Sequence, residues 1–352
     1  MPIDDEEKSP KSKRTKLRIF SIILVIIALL GVGGYIGVPM WYQAQLQPIS
    51  SDKNAARIRV TIESGSTPDQ IAKLLLEKKL IRSDLAFIYY TREKGVQAKL
   101  QAGTFNLKPS ESLPDIVDHL VAGKTDEFSI TFLPGDTVAG HRKVLIKAGY
   151  AEAEIDAALQ KTYDHPVFAG KPAEADLEGY IYGETYNFTA DATVEQILTR
   201  TFDELEAQVK KYDLVNVYQK QGLTLFQAIT LASIIQREVA GEADEKQVAQ
   251  VFYKRLGEGG RLGSDVTYIY AAKKLGVEAT PELDSPYNTR IHAGLPPGPI
   301  SSPGLSALLA TASPAAGDYT YFLAGDDGKT YFAHTYEQHQ ANIVNHCKKN
   351  CQ

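Results

Sequence analysis

The sequence predicts an α+β protein in three parts: a single N-terminal transmembrane helix, a small α+β module and a larger mixed α+β domain. Three observations carry this reading. The run from Ile19 to Ser51 holds no charged residue. A short strand–turn–helix pattern then recurs, and past residue 150 longer amphipathic helices alternate with polar, proline-rich loops. The 352 residues suffice for two domains with an appendage, and 43% apolar content suffices for packed cores. Net charge is −5, and the chain outside its N-terminus has no long basic block, which excludes a nucleic-acid footprint.

Ile19 to Tyr42 is the predicted membrane span. About 20 apolar residues cross the hydrocarbon, so this stretch is long enough with some tilt. Trp41 and Tyr42 fall where interfacial aromatics anchor a span. Lys8, Lys11, Lys13, Arg14, Lys16 and Arg18 precede it, so residues 1–18 read as a cytoplasmic basic tail. A cleaved signal peptide fits less well, because the apolar run exceeds an h-region and no small-x-small site follows it. The expected location is the inner (cytoplasmic) membrane, single-pass, with everything after about Gln43 outside the cytoplasm. In such a compartment Cys347 and Cys351 are permitted a disulfide. Spaced four apart on a helix they would be poorly oriented for one, so two incidental thiols fit equally.

A polar linker, 43–58, leads to the small module, 59–150. Val60 and Ile62 alternate as in a strand. Ser66 or Thr67 then caps a helix with Pro68 in its first turn and Ile71, Leu74 and Leu75 on its buried stripe. Gly103 to Gly123 repeats the pattern with Phe105, Leu107, Ser112, Pro114, Ile116 and Leu120, and a third unit opens at Ser129. These short units resemble a LysM-type carbohydrate-binding module; an ordinary α+β spacer fits the same pattern.

The third part, 151–352, is predicted to hold helices at Val194–Val209, Thr224–Ala240 and Asp244–Leu256. The stretch TYFLAGDDGKTYFA near the end reads as a hairpin turning at Asp-Asp-Gly. The second helix carries LASIIQREVAGE, apolar until it sets Gln236, Arg237 and Glu238 side by side. At 100° per residue Leu231, Ile234 and Glu238 share a side, while Thr230, Ser233 and Arg237 form a narrow polar strip. An amide cannot exchange a proton at neutral pH, whereas a carboxyl desolvated by Leu231, Ile234 and Ile235 should titrate high, as a general acid requires. The competing readings pair Glu238 with Arg237, or make it the cap of the next helix at Ala240-Gly241. Beyond it, GSDVTYIY holds Ser264, Asp265 and Thr267, DSPYNTR clusters hydrogen-bonding side chains around Tyr287, and GLPPGPISSPG forms a stiff extended wall.

In this order, LEGYIYGETY, LASIIQREV, VFYKRL, LGSDVTYIY, DSPYNTR and GLPPGPISSPG resemble the membrane-anchored endolytic murein transglycosylases, from about Val60 to His339 plus the anchor. The resemblance makes the third part the catalytic domain and implies cleavage of the MurNAc–GlcNAc β-1,4 bond within peptidoglycan glycan strands, leaving 1,6-anhydro-MurNAc ends and terminating strand elongation. It places the catalytic acid, the second glutamate of a Glu-Lys/Arg-Glu run, on Glu238. The first glutamate is Gln236 here. The family's Gln and Pro in Leu-Gln-Ser-Asp-Pro-Thr are Gly263 and Val266, a family histidine is Thr330, and His339 matches a later one. Ser264, Asp265, Tyr287, Asn288 and Thr289 become candidates for holding the sugar and its N-acetyl group. Glu178 is a candidate for substrate contact or for support of the site, with a helix-end ion pair as its plain alternative. No cofactor or metal is implied; cell-wall synthases in the membrane are the expected partners. Two rivals stand beside this reading, an anchored glycan-binding scaffold and a hydrolytic muramidase with Asp265 or Glu178 as second carboxylate.

Overall fold

Val60 and Ile62 do point inward from a strand, β1 (Ile58–Ile62), and Thr67 is the cap of the helix that follows, α1 (Pro68–Glu77). Its hydroxyl accepts from the Gln70 amide while the Gln70 side chain accepts from the Thr67 amide, so two otherwise orphaned donors are satisfied reciprocally. This computed structural model describes residues 19–22, 24, 35, 37–53, 55–123 and 127–348. The basic tail and most of the expected span at 19–42 lie outside them. Among the described residues no helix is long and apolar enough to cross a membrane.

The chain divides into two units, Met1–Asp126 and Glu127–Gln352. In the first, α1 is followed by α2 (Asp84–Glu93), β2 (Gly103–Leu107) and α3 (Leu113–Ala122). Strand β2 pairs antiparallel with β1, setting Phe105 opposite Val60 and Leu107 opposite Ile58. Val60, Leu75, Phe87, Phe105, Leu107, Ile116 and Leu120 form its core. Helix α2 interrupts the repeat read from the sequence: Ala86, Phe87 and Thr91 are buried too sparsely in DLAFIYYTRE to announce a helix by periodicity. The expected linker is fixed at its start, because residues 43–46 are helical and Leu46 is buried in this core.

The module boundary expected at 150 falls instead between 126 and 127. Strand β3 (Glu127–Thr131) finds its partner far along the chain in β4 (Thr185–Thr189), with Ile130 opposite Tyr186. Ile130, Phe132, Leu145 and Tyr150 therefore belong to the larger core. Between these strands lie α4 (Val138–Lys147) and α5 (Glu152–Gln160). After β4 come α6 (Val194–Lys211), α7 (Leu214–Lys220), α8 (Leu225–Glu238), α9 (Glu242–Gly257), α10 (Asp265–Leu275) and α11 (Leu305–Ala312). The hairpin β5 (Tyr321–Ala324) and β6 (Thr330–Ala333) and helix α12 (Tyr336–His346) complete the unit. Just past α12, Cys347 is buried and disulfide-bonded. The fold is thus α+β, with two-stranded antiparallel sheets and helices in separate stretches.

Helix α8 is the central element, packed against α7, α9, α10 and α11. Ten of its residues in succession bar one, from Leu225 to Ile235, are buried, including Thr230 and Ser233. Of the expected polar strip, Thr230 and Ser233 are therefore covered, while Arg237 is exposed. Thr230 turns its hydroxyl back to the Phe226 carbonyl at 2.8 Å, and Ser233 to the Thr230 carbonyl at 2.7 Å.

The LEGY segment places Tyr180 fully inside this core with its hydroxyl unpartnered. A buried hydroxyl without a partner costs free energy that an apolar ring of the same shape does not. Tyr180→Phe should therefore be neutral to stabilising, by up to about 1 kcal/mol. A fall in thermal midpoint by calorimetry would show that the hydroxyl has a partner in solution.

Candidate active site

Helix α8 ends on Glu238. The next residue, Val239, is extended (φ −142°, ψ 162°), and Gly241 has φ 107°, a left-handed region that suits glycine. Two of the readings open at the sequence level close here. Arg237 is exposed and donates to the Gly135 carbonyl at 3.2 Å, so it turns away from Glu238. Helix α9 has no side-chain cap, so Glu238 does not cap it.

Glu238 Oε1 accepts from the hydroxyl of Ser264. Ser264 sits at the N-cap position of α10 but makes no cap hydrogen bond, which leaves its hydroxyl for the carboxyl. Its backbone is held by a buried threonine pair. The Ser264 amide donates to Thr289 Oγ1 at 3.1 Å, Thr267 Oγ1 donates to the Ser264 carbonyl at 2.6 Å, and the Thr289 amide donates to Thr267 Oγ1 at 3.1 Å. The Gly263 amide donates to the Thr289 carbonyl at 3.0 Å, with Gly263 at φ 67°. Thus glycine in place of the family's glutamine suits the left-handed turn that this loop makes.

Burial raises Glu238 to a pKa of about 7. The Ser264 hydrogen bond, Arg255 and Arg290 oppose the rise, while Asp265 adds to it. The residue as a whole is nevertheless only half-buried. Asp265 is exposed and paired with Arg290 at 2.8 Å. Tyr287 is half-buried, with its ring centroid 5.2 Å from that of Tyr270 and Lys274 5.7 Å from its own.

Three candidates have other work than touching a sugar. Asn288 is fully buried; its amide donates to the carbonyls of Pro281 and Leu283, both at 2.9 Å, and its oxygen accepts from the Arg290 amide at 3.0 Å. Thr289 is spent on the threonine pair, and Ser264 is 2% exposed. The sequence did not show which side chains of these loops face out. Of the five, Asp265 and Tyr287 keep accessible surface.

Glu178 is buried at a different point along α10. Its Oε1 accepts from the Val138 amide at 3.0 Å, at the start of α4, and its Oε2 from the Tyr270 hydroxyl at 3.2 Å. Burial raises it too to about 7, offset by those hydrogen bonds and by Lys274. Ser264 and Tyr270 are six residues apart, roughly 9 Å along the helix. Glu178 thus lies beside a separate cavity of about 280 Å³, lined by residues that include Val138, Arg142, Tyr270 and Lys274.

The proline-rich segment is the stiff wall expected. Ile300 N–H donates to Ser233 Oγ at 3.0 Å and the Ser301 hydroxyl to the Ser233 carbonyl at 3.0 Å. Gln236 Oε1 accepts from the Gly304 amide at 2.8 Å, at the start of α11. Gln236 therefore fixes the wall and takes no part in the carboxyl's hydrogen bonds. A Cβ on Gly179, at φ 88°, would come within 2.6 Å of Pro299, so the LEGY turn needs its glycine to meet this wall.

Arg255, from VFYKRL, was missed as a single residue. Its guanidinium donates to the carbonyls of Leu262 and Thr320, tying the loop before Ser264 to the β5 hairpin. A cation at the end of the apolar face of α9 was the available signal. His339 stacks on Tyr321 at 5.1 Å, and burial together with Arg255 lowers its pKa, keeping it neutral. Thr330 opens β6. Among the described residues no group of three or more His, Cys, Asp or Glu could hold a metal ion.

The profile of the YceG-like family matches residues 60–345. The chain belongs to that family. Among its relatives, one from Bacillus subtilis named endolytic murein transglycosylase is 31% identical, across 86% of this chain and 88% of its own length. One of the same name from Streptococcus pneumoniae is 30% identical across 92% of this chain, which spans 64% of that relative's length. A crystal structure of a YceG-like protein from Listeria monocytogenes shares 31% identity and superposes with a TM-score of 0.54, covering 82% of this chain and 99% of that one.

The titration of Glu238 has a stability consequence in this YceG-like fold. Its ordinary value of 4.5 rises to about 7, so between those values the folded chain holds a proton that the unfolded chain has lost. The contribution is favourable below 4.5 and is lost as pH rises through 7. Glu238→Gln cannot ionise, so it should raise the thermal midpoint relative to the parent at about pH 8, by an amount that shrinks toward about pH 4.5. Calorimetry across that range checks it; a difference independent of pH would mean Glu238 titrates normally.

Proposed function

We propose that this chain is a membrane-anchored lytic murein transglycosylase that cuts glycan strands internally at the MurNAc–GlcNAc β-1,4 bond. The observation that carries the reading is Glu238: a carboxyl held by one serine hydroxyl and titrating at about 7, on a residue that is only half-buried. The relatives' shared name supports it.

A carboxyl poised near neutral pH can serve twice. Protonated, Glu238 gives its proton to the glycosidic oxygen as the C1–O bond breaks. As carboxylate it then takes the proton of the same sugar's C6 hydroxyl, whose oxygen closes on C1 to form the 1,6-anhydro ring. The proton borrowed is returned, and no water is consumed. One carboxyl is therefore enough, where ordinary glycosidases place two across the bond. Asp265 and Tyr287 are the candidates for touching the sugar; Ser264, Thr267, Asn288, Thr289 and Arg255 hold the loop that faces it.

The span at 19–42 would keep the N-terminus in the cytoplasm and both units outside it, beside the synthases whose strands it would terminate. The small unit, with its antiparallel β1–β2 pair and two intervening helices, would act as a LysM-like glycan-holding module.

Glu238→Gln preserves shape and an acceptor for Ser264, so the protein should fold and bind glycan while losing both proton transfers. The loss should be about 10²–10⁴-fold or more in release of anhydro-muropeptides, read by mass spectrometry of digested peptidoglycan. Gln236→Glu, which keeps the acceptor for Gly304, should lose far less. Retained activity in Glu238→Gln would overturn the assignment of the acid. Reducing-end products from the parent would keep Glu238 as acid but make water the attacking group.

A further inference from the structure

The small unit carries a contact that neither its core nor a glycan requires. Residues 37–46 are helical, and this stretch lies against α2. Tyr42 meets Tyr89 edge to face with ring centroids 5.0 Å apart, and its hydroxyl donates to Glu93 at 3.4 Å. At the other end Arg82, just ahead of α2, donates to the carbonyls of Gln47 at 3.2 Å and Pro48 at 2.6 Å. The start of α2 thus faces residues 47–48 and its end faces residue 42. The two helices run antiparallel, and Leu46, buried in the core, locks the pair.

That arrangement sets a height. Tyr42 ends the apolar run, so it stands at the edge of the hydrocarbon, and Trp41 and Met40 beside it are 48% and 69% exposed. Helix α2 points its C-terminal end the same way. It finishes in Arg92 and Lys94, both exposed, before the turn at Gly95. Glu93, the exposed carboxylate between them, accepts from the Tyr42 hydroxyl. An exposed cationic tip held level with an interfacial aromatic pair suits anionic lipid phosphates.

We propose that the C-terminal turn of α2, through Arg92 and Lys94, rests on the phosphate headgroups of the membrane that holds the anchor. The inference rests on the anchored reading above. It makes the small unit a footing fixed at the bilayer surface, not a bead on a loose tether.

The test uses the full chain in vesicles containing anionic lipid, with spin-labelled headgroups as quenchers. Trp41 is the sole tryptophan and reports the anchor. A fluorophore on Ala98→Cys reports the tip, and one on Lys78→Cys, at the end of α1 beside the start of α2, reports the far side. Ala98 and Lys78 are both exposed. We expect quenching of Trp41 and of the tip but not of position 78, and loss of tip quenching alone in Arg92→Glu/Lys94→Glu. Quenched Trp41 with an unquenched tip would overturn the footing and leave the anchor standing. Tip quenching that survives the double charge reversal would overturn the headgroup contact. Unquenched Trp41 would sink the anchor itself, and the footing with it.

Discussion

From Ala228 to Ile235 helix α8 is enclosed by neighbours, and a helix so enclosed has no solvent face for its polar groups. Its serine and threonines must bond inward or to whatever covers them. Ser233 does both, giving its proton to Thr230 and accepting one from Ile300. The proline-rich wall can therefore lie directly on α8, because proline removes the donors that such a close approach would strand. The last turn escapes this enclosure, and it carries Gln236, Arg237 and Glu238. Each then takes a separate partner: the amide of Gly304, the carbonyl of Gly135 and the hydroxyl of Ser264.

The proton affinity of Glu238 comes from the burial of its own carboxyl beside Ser264. Desolvation lifts it, and the protein supplies few hydrogen bonds to bring it down again. Arg255 could have neutralised it outright by a direct ion pair. Instead its guanidinium is spent on two backbone carbonyls, so it acts on the carboxyl only through space. Glu178 shows the same lift from the same cause with both oxygens occupied, which is the arrangement of a brace between α4 and α10.

Where periodicity is local, the sequence was a faithful guide. The α8 cap at Thr224, the start of α6 at Val194 and the hairpin around Asp-Asp-Gly stand within a residue or two of expectation. Where pairing is distant, it was not. Nothing in SITFLP says that its strand partners TYNFT more than fifty residues on, so β3 looked like a third copy of the small module. The site was legible in part for the same reason. The burial of the Glu238 carboxyl followed from helical phase and its apolar neighbours, whereas that of Asn288 and Thr289 did not, because side-chain direction in a loop is set by tertiary bonds. The polar strip on α8 failed similarly, since the segment that covers it lies some seventy residues away in the chain.

The serine bond also makes the two oxygens of Glu238 unlike each other. Oε1 is occupied by the Ser264 hydroxyl, and among the described residues no donor reaches Oε2. In the proposed reaction the proton would therefore sit on Oε2 and leave along one direction only. A polysaccharide has a sense, reducing end to non-reducing end, and its bridging oxygen presents different lone pairs when the chain is reversed. In the reaction proposed above, a single working oxygen on Glu238 would read the polarity of the strand threaded past it, even where no side chain recognises either end.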